Sequence, residues 1–208
     1  MIAKFVSPKT QEEIELLFSP PIDEIREAKT FVSWFNDNRV KQYLTMTAGL
    51  TESSEMDWIR KQPEEKEHLN WFVYIKGKAI GSIGLNRIDL KDRKAELGIS
   101  IGDKSCWGKG LATVMEITVL EYVFENVVAG GLHKVYARVF IGNVASQKVL
   151  EKKIGFRTIG YRREEIWHNG VWYDEWNGEL LQEVWRVNRE QIIKDAGITL
   201  LDVYPGCE

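Results

Sequence analysis

Between Ala95 and Phe124 the chain passes from an alternating apolar segment, AELGISI, through a glycine-bearing turn, WGKGLAT, into a nearly unbroken apolar run ending in VLEYVF. The alternation has the period of a half-buried strand, and the run has the length of a buried helix. A strand that feeds into a helix through Gly108 and Gly110 gathers backbone N–H groups at the positive end of the helix dipole. That junction suits a phosphate, and it points to architectures in which strands and helices share layers.

Three phosphate loops compete for the turn. A P-loop needs G-x-x-x-x-G-K-[ST], but five residues separate Gly102 from Gly108, and Gly110 follows Lys109 where the metal-binding hydroxyl belongs. A dinucleotide loop needs G-x-G-x-x-G, and Thr113 stands at the third glycine position. The remaining form is the acyl-CoA loop, [Q/R]-x-x-G-x-[G/A]. Gly110 and Ala112 fill its small-residue positions, with Trp107 in place of the usual Gln or Arg. Larger side chains at Gly110 and Ala112 would hold a pyrophosphate off the backbone donors. Glycines here would also serve turn geometry alone.

The rest of the chain reads as an α/β layer fold with a mixed sheet. Residues 1–10 look like a lead-in, and Ile14–Phe18 like a short strand ending at Ser19-Pro20-Pro21. Helical spacing predicts a helix over Ile22–Leu44 and another over Met56–Lys61, behind Thr51-Glu52-Ser53-Ser54. Trp71–Ile75 and Ala79–Leu85 form a hairpin about Lys76-Gly77-Lys78, and Lys94–Ile101 is a third central strand. A helix from Gly110 to Val127 stops before Gly130-Gly131, and Lys134–Phe140 is a strand. Asn143–Lys153 is helical, and Arg157–Trp167 and Val171–Trp176 flank a turn at His168-Asn169-Gly170. The tail from Arg186 carries one more helix and a strand, Ile198–Val203.

Composition excludes several function classes. With 31 acidic and 28 basic side chains, the net charge of −3 leaves no basic excess for nucleic acid. MIAKFVSPKT has no apolar signal core, and no apolar run approaches the ~20 residues of a membrane span, so the expected compartment is the cytoplasm. Cys106 and Cys207 have no framework spacing, and His68, His133 and His168 are scattered, so no metal site is expected.

From Trp71 to Phe156 the chain resembles the GNAT superfamily of acetyltransferases, and more narrowly its Rim-type branch, named for enzymes that acetylate N-termini of ribosomal proteins. AELGISI, CWGKGLATV and ARVFIGNVASQKVLEKKIGF carry the resemblance, with the Trp-Gly-x-Gly-x-Ala loop and Asn143-x-x-Ser146 ahead of Gly155-Phe156. It weakens before residue 50 and beyond Trp185. The resemblance implies one domain over 1–208, with a core of about 14–185 and a C-terminal extension over 186–208. It implies splayed central strands that bind acetyl-CoA, and no metal.

Residue by residue, Ile99, Ser100 and Ile101 would pair with the pantetheine arm as if it were another strand. Gly108, Lys109, Gly110, Leu111, Ala112 and Thr113 would wrap the pyrophosphate. Asn143 would contact the cofactor arm, cap a helix, or do both. Ser146 would stand near the sulfur and serve the departing thiolate, or be an ordinary first-turn serine. The acceptor amine must lose a proton before it attacks, which calls for a carboxylate or a water leading to one. The branch's usual glutamate, in GFxxEG, is replaced by Ile159 in GFRTIG, and VLEKKIGF is one residue longer than usual. Glu96 and Asp174 remain as candidate bases, each equally readable as a salt-bridge partner.

Trp167, Trp172, Tyr173 and Trp176 crowd the last hairpin among Glu164, Glu165, Asp174, Glu175 and Glu179. That segment would draw a cationic acceptor, a small amine or a peptide N-terminus. The expected chemistry is direct attack in a ternary complex, in a monomer or homodimer. The alternative is a CoA-binding sensor or scaffold without turnover.

Overall fold

The computed structural model describes residues 1–7, 9–42, 44, 49–168 and 170–202. They include nine strands in one sheet: β1 Ile2–Val6, β2 Glu13–Ser19, β3 Leu69–Ile75, β4 Lys78–Asp89, β5 Lys94–Ile101, β6 Lys134–Phe140, β7 Arg157–His168, β8 Val171–Leu181 and β9 Ile198–Asp202. The spatial order is β7-β8-β6-β5-β4-β3-β2-β1-β9. Neighbours are antiparallel except β5 and β6. A parallel pair needs a crossover, and helix α4, Leu111–Asn126, supplies it.

Helices cover both faces. In β3, Trp71 and Val73 join the core that α4 completes, while Phe72 and Tyr74 join a second cluster with Ala28, Phe31 and Ile59 of the helices opposite. Fully buried side chains of the size of Val73, Phe31, Ile59 and Phe72 each contribute roughly 1.5–3 kcal/mol. Around α4, Leu111, Val114, Ile117, Leu120 and Phe124 are all buried, which explains a run without an exposed stripe.

The first ten residues, expected as a lead-in, contain β1, which buries Ala3 and Phe5 and pairs with β2 and β9. The helix expected over Ile22–Leu44 is broken at Asn36 into α1, Glu24–Phe35, and α2, Asn38–Lys41. The break follows from capping: Asp37 accepts the Arg39 N–H and so begins a new helix, as Asp23 does for α1. Helix α3 starts at Glu52, ahead of Met56, because Thr51 and Ser54 form a reciprocal capping box. Strand β8 continues to Leu181, and α6, Gln182–Asp195, begins before Arg186 and buries Trp185. After α5, Val144–Lys148, the helix widens into a π-helical turn, Val149–Ile154. The segment expected to be one residue longer than usual, VLEKKIGF, contains that wider turn. Tyr43 of the first expected helix, Asn169 of the turn, Val203 and Cys207 lie outside the described residues.

Candidate active site

Strands β5 and β6 are paired only where Lys94–Glu96 faces Lys134–Tyr136. Beyond that register they part, while β5 stays paired to β4 as far as Ile101 and β6 to β8 as far as Phe140. The opening is the splay expected of the central strands. At its mouth Gly110, φ +85°, is the N-cap of α4, and no side chain caps the helix. The first N–H groups of α4 therefore have no side-chain cap, an arrangement that suits an anion. Gly108 is also left-handed, at φ +71°. The Trp107 indole N–H donates to the Ile101 carbonyl at 2.7 Å, so this residue fastens the loop to the end of β5.

Two chambers meet in the opening. The first, about 400 Å³, is lined by Ile99, Ser100, Ile101, Gly108, Gly110, Leu111, Ala112, Thr113, Asn143 and Ser146. Of the expected cofactor residues, Lys109 is not on its wall. Arg39, Val40 and Leu44 also line it, a contribution from the α2 region that the sequence did not suggest. The second chamber, about 470 Å³, lies over β5, β6 and β8 and contains Glu96, Arg138, Phe140 and Glu175. Ile99, Asn143, Ser146 and Glu116 line both. Asn143 Oδ1 accepts the Ser146 N–H at 3.3 Å, so it caps α5 while it also faces the chambers.

The carboxyls of the second chamber differ in their partners. Glu96 Oε1 accepts Arg138 Nε at 3.0 Å, and its Oε2 accepts Arg87 Nη1 at 3.1 Å. Glu175 Oε2 accepts Arg138 Nη1 at 3.4 Å, and its Oε1 lies 3.9 Å from Arg162. Glu116 is 1% exposed, and its Oε2 has no hydrogen-bond partner. Burial pushes the Glu116 carboxyl up to about 8. In the sequence Glu116 is one position of the helix expected from Gly110 to Val127. The available signal was an acidic residue inside VMEIT, where an apolar environment demands a reason for it.

Asp174 lines neither chamber. Alternation along β8 turns its neighbour Glu175 toward the second chamber, and Asp174 Oδ1 instead accepts the Glu164 N–H at 2.9 Å. That bond holds a register shift between Arg162 and Ile166, where Glu164 has φ +52°. Of the acidic cluster read in this segment, Glu175 alone is among the second chamber's lining residues. Glu179 pairs with Lys134 at 3.4 Å.

The expected aromatic wall is dispersed. Trp167 and Trp172 lie tilted against each other, ring centroids 5.2 Å apart, on the exposed hairpin, Tyr173 packs against Phe140, and Trp176 is buried. Cys106 lines the first chamber, and burial raises its thiol above the usual range, so it is held as a poor nucleophile. Among the described residues no group of His, Cys, Asp or Glu is arranged to hold a metal ion, and no helix is long and apolar enough to cross a membrane.

Comparison with known proteins accords with this geometry. Residues 15–157 match the family described as "Acetyltransferase (GNAT) domain". The "Putative ribosomal N-acetyltransferase YdaF" of Bacillus subtilis is 28% identical over 183 residues, covering 85% of this chain and 96% of that protein. Mycobacterium smegmatis RimJ in complex with CoA-disulfide superposes with a TM-score of 0.76 at 20% identity, over 95% of each chain. Spermidine N-acetyltransferase from Vibrio cholerae, in complex with CoA and spermine, gives 0.73 at 22% identity, over 82% of this chain and 98% of the other.

Proposed function

The chain belongs to the GNAT acetyltransferase family and is an acetyl-CoA-dependent N-acetyltransferase, and on that premise we propose that it acetylates the primary amine of a cationic acceptor by direct attack in a ternary complex. The observation that carries this reading is the meeting of two chambers at Ile99, Asn143 and Ser146, between strands that part. The pantetheine arm of acetyl-CoA would lie along Ile99, Ser100 and Ile101 in the first chamber. The pyrophosphate would sit on the uncapped N-terminus of α4, wrapped by Gly108 through Thr113 with Lys109 as an outer counter-charge. Backbone N–H groups near Ile99 would stabilise the charge that develops on the thioester oxygen. Ser146 would donate to the departing sulfur, a modest term because a thiol of pKa roughly 8.5 already leaves as a fair thiolate.

The acceptor would enter the second chamber, where the carboxylates of Glu96 and Glu175 outnumber Arg138. A protonated amine is favoured there over an anionic acceptor. A small polyamine and the N-terminus of a basic peptide both meet that description, and a spermidine acetyltransferase and a ribosomal acetyltransferase name are found among the similar proteins. Residues 1–208 would act as one domain, as a monomer or homodimer, in the cytoplasm, where the buried Cys106 thiol stays reduced. Initial-velocity kinetics with acetyl-CoA against spermidine and a basic peptide test the reading. Intersecting patterns are expected, with the acceptor KM rising with salt as exposed charges are screened over about 8 Å. Parallel patterns, or no amine turnover, would overturn it.

A further inference from the structure

Helix α4 carries two buried glutamates, and they are treated differently. Glu121 Oε1 accepts the Trp185 indole N–H at 3.0 Å, and its Oε2 pairs with Arg189 at 3.3 Å. Glu116, 1% exposed, lines both chambers, and its Oε2 is buried with no hydrogen-bond partner. A buried carboxyl without a partner is costly, and native chains keep few of them without a use. The other carboxyls of the acceptor chamber are already engaged. Both oxygens of Glu96 are bonded to arginines, and Glu175 lies between Arg138 and Arg162.

We propose that Glu116 is the catalytic base, its carboxylate receiving the proton that the acceptor ammonium must shed before attack. This rests on the acetyltransferase reading above. The step balances as follows. One ammonium proton passes to Glu116, and the freed nitrogen lone pair forms the C–N bond at the thioester carbon. The C–S bond then breaks, and its electron pair leaves with sulfur. The nitrogen's second proton ends on that thiolate. Glu116 returns its proton to solvent as the amide departs, so one proton is released per turnover.

The charged and titratable groups on the walls around Glu116 are Glu96 of β5, Arg138 of β6, Glu175 of β8, Arg39 of α2 and Cys106 of the loop. Desolvation holds Glu116 protonated up to about pH 8, so turnover at saturating acceptor rises with pH toward that value.

The test is kcat and kcat/KM against pH for the wild type, Glu116→Gln and Glu116→Asp, with spermidine and a basic peptide as acceptors. Affinity for acetyl-CoA is measured separately by intrinsic tryptophan fluorescence. Glu116→Gln is expected to lower kcat by ~10²–10⁴ and to flatten the acid limb, with acetyl-CoA affinity unchanged. Glu116→Asp is expected to keep the limb at a reduced rate. If Glu116→Gln retains kcat and the acid limb while wild type turns over, this assignment falls and the acetyltransferase reading stands. If the wild type turns over no amine, both fall. Thermal unfolding of each variant separates lost chemistry from lost fold, and a folded Glu116→Gln with full activity also overturns the proposal.

Discussion

Replacing Glu116 by Gln exchanges a titratable carboxyl for an amide of nearly the same size, and it isolates what the proton does for the fold. Burial raises this carboxyl from 4.5 to about 8. The folded state therefore holds the proton more tightly than the unfolded state. The stability this contributes is complete below pH 4.5 and is lost as pH rises toward 8. Each tenfold difference in proton affinity is worth about 1.4 kcal/mol, so the whole loss is on the order of 5 kcal/mol. That is a large part of the roughly 5–15 kcal/mol that holds a domain together. Urea unfolding of the two proteins from about pH 5 to about pH 9 measures it. Glu55, which burial raises to about 7, and Glu121, raised by the same cause, titrate in both proteins and cancel in the difference. The wild type should lose several kcal/mol relative to Glu116→Gln across this range, so that the variant is the more stable protein in alkali. A difference that does not change with pH would refute both the burial argument and its sign.

Gly110→Val should reduce acetyl-CoA affinity at least tenfold, about 1.4 kcal/mol, in isothermal titration of the folded variant. A β-branched residue at φ +85° is itself strained by ~1–2 kcal/mol, so a lower Tm should accompany the loss. Ser146→Ala should lower kcat by about 10²-fold, more than it raises the acetyl-CoA KM, in steady-state assays of thiol release. The cap of α5 should survive in that variant, because Asn143 bonds the backbone N–H of residue 146 and not its hydroxyl. Asp174→Ala should speed amide exchange in the β7–β8 hairpin and cost about 1 kcal/mol in urea unfolding, with kcat unchanged, because the lost bond is to Glu164 N–H.

The parts of the fold that are local were legible in the residues. AELGISI, WGKGLAT and the apolar run after them became β5, the loop and α4 within a residue or so, because strand period, glycine and burial are all short-range signals. Strand β1 was not legible, because IAKFV is short and its partner β9 lies at the other end of the chain. Which way Asp174 and Glu175 face turns on strand parity. A single residue decides which face a side chain takes, and composition made the whole hairpin look equally acidic. Glu116 was hidden by its own neighbourhood. In a helix buried all round, apolar periodicity does not say which side faces a cavity, so the chambers and the missing partner mark Glu116 off from Glu121.

The π-helical turn at Val149–Ile154 has a consequence for how such a chain changes in length. One residue added to a regular α-helix swings everything beyond it by about 100°. Here the swing would aim either Ser146 away from the chambers or Ile154 and Phe156 away from the core. The wider turn lets each end keep its own bearing, so the helix behaves like two shafts joined by a slipping coupling. One shaft is keyed to the chemistry and the other to the packing.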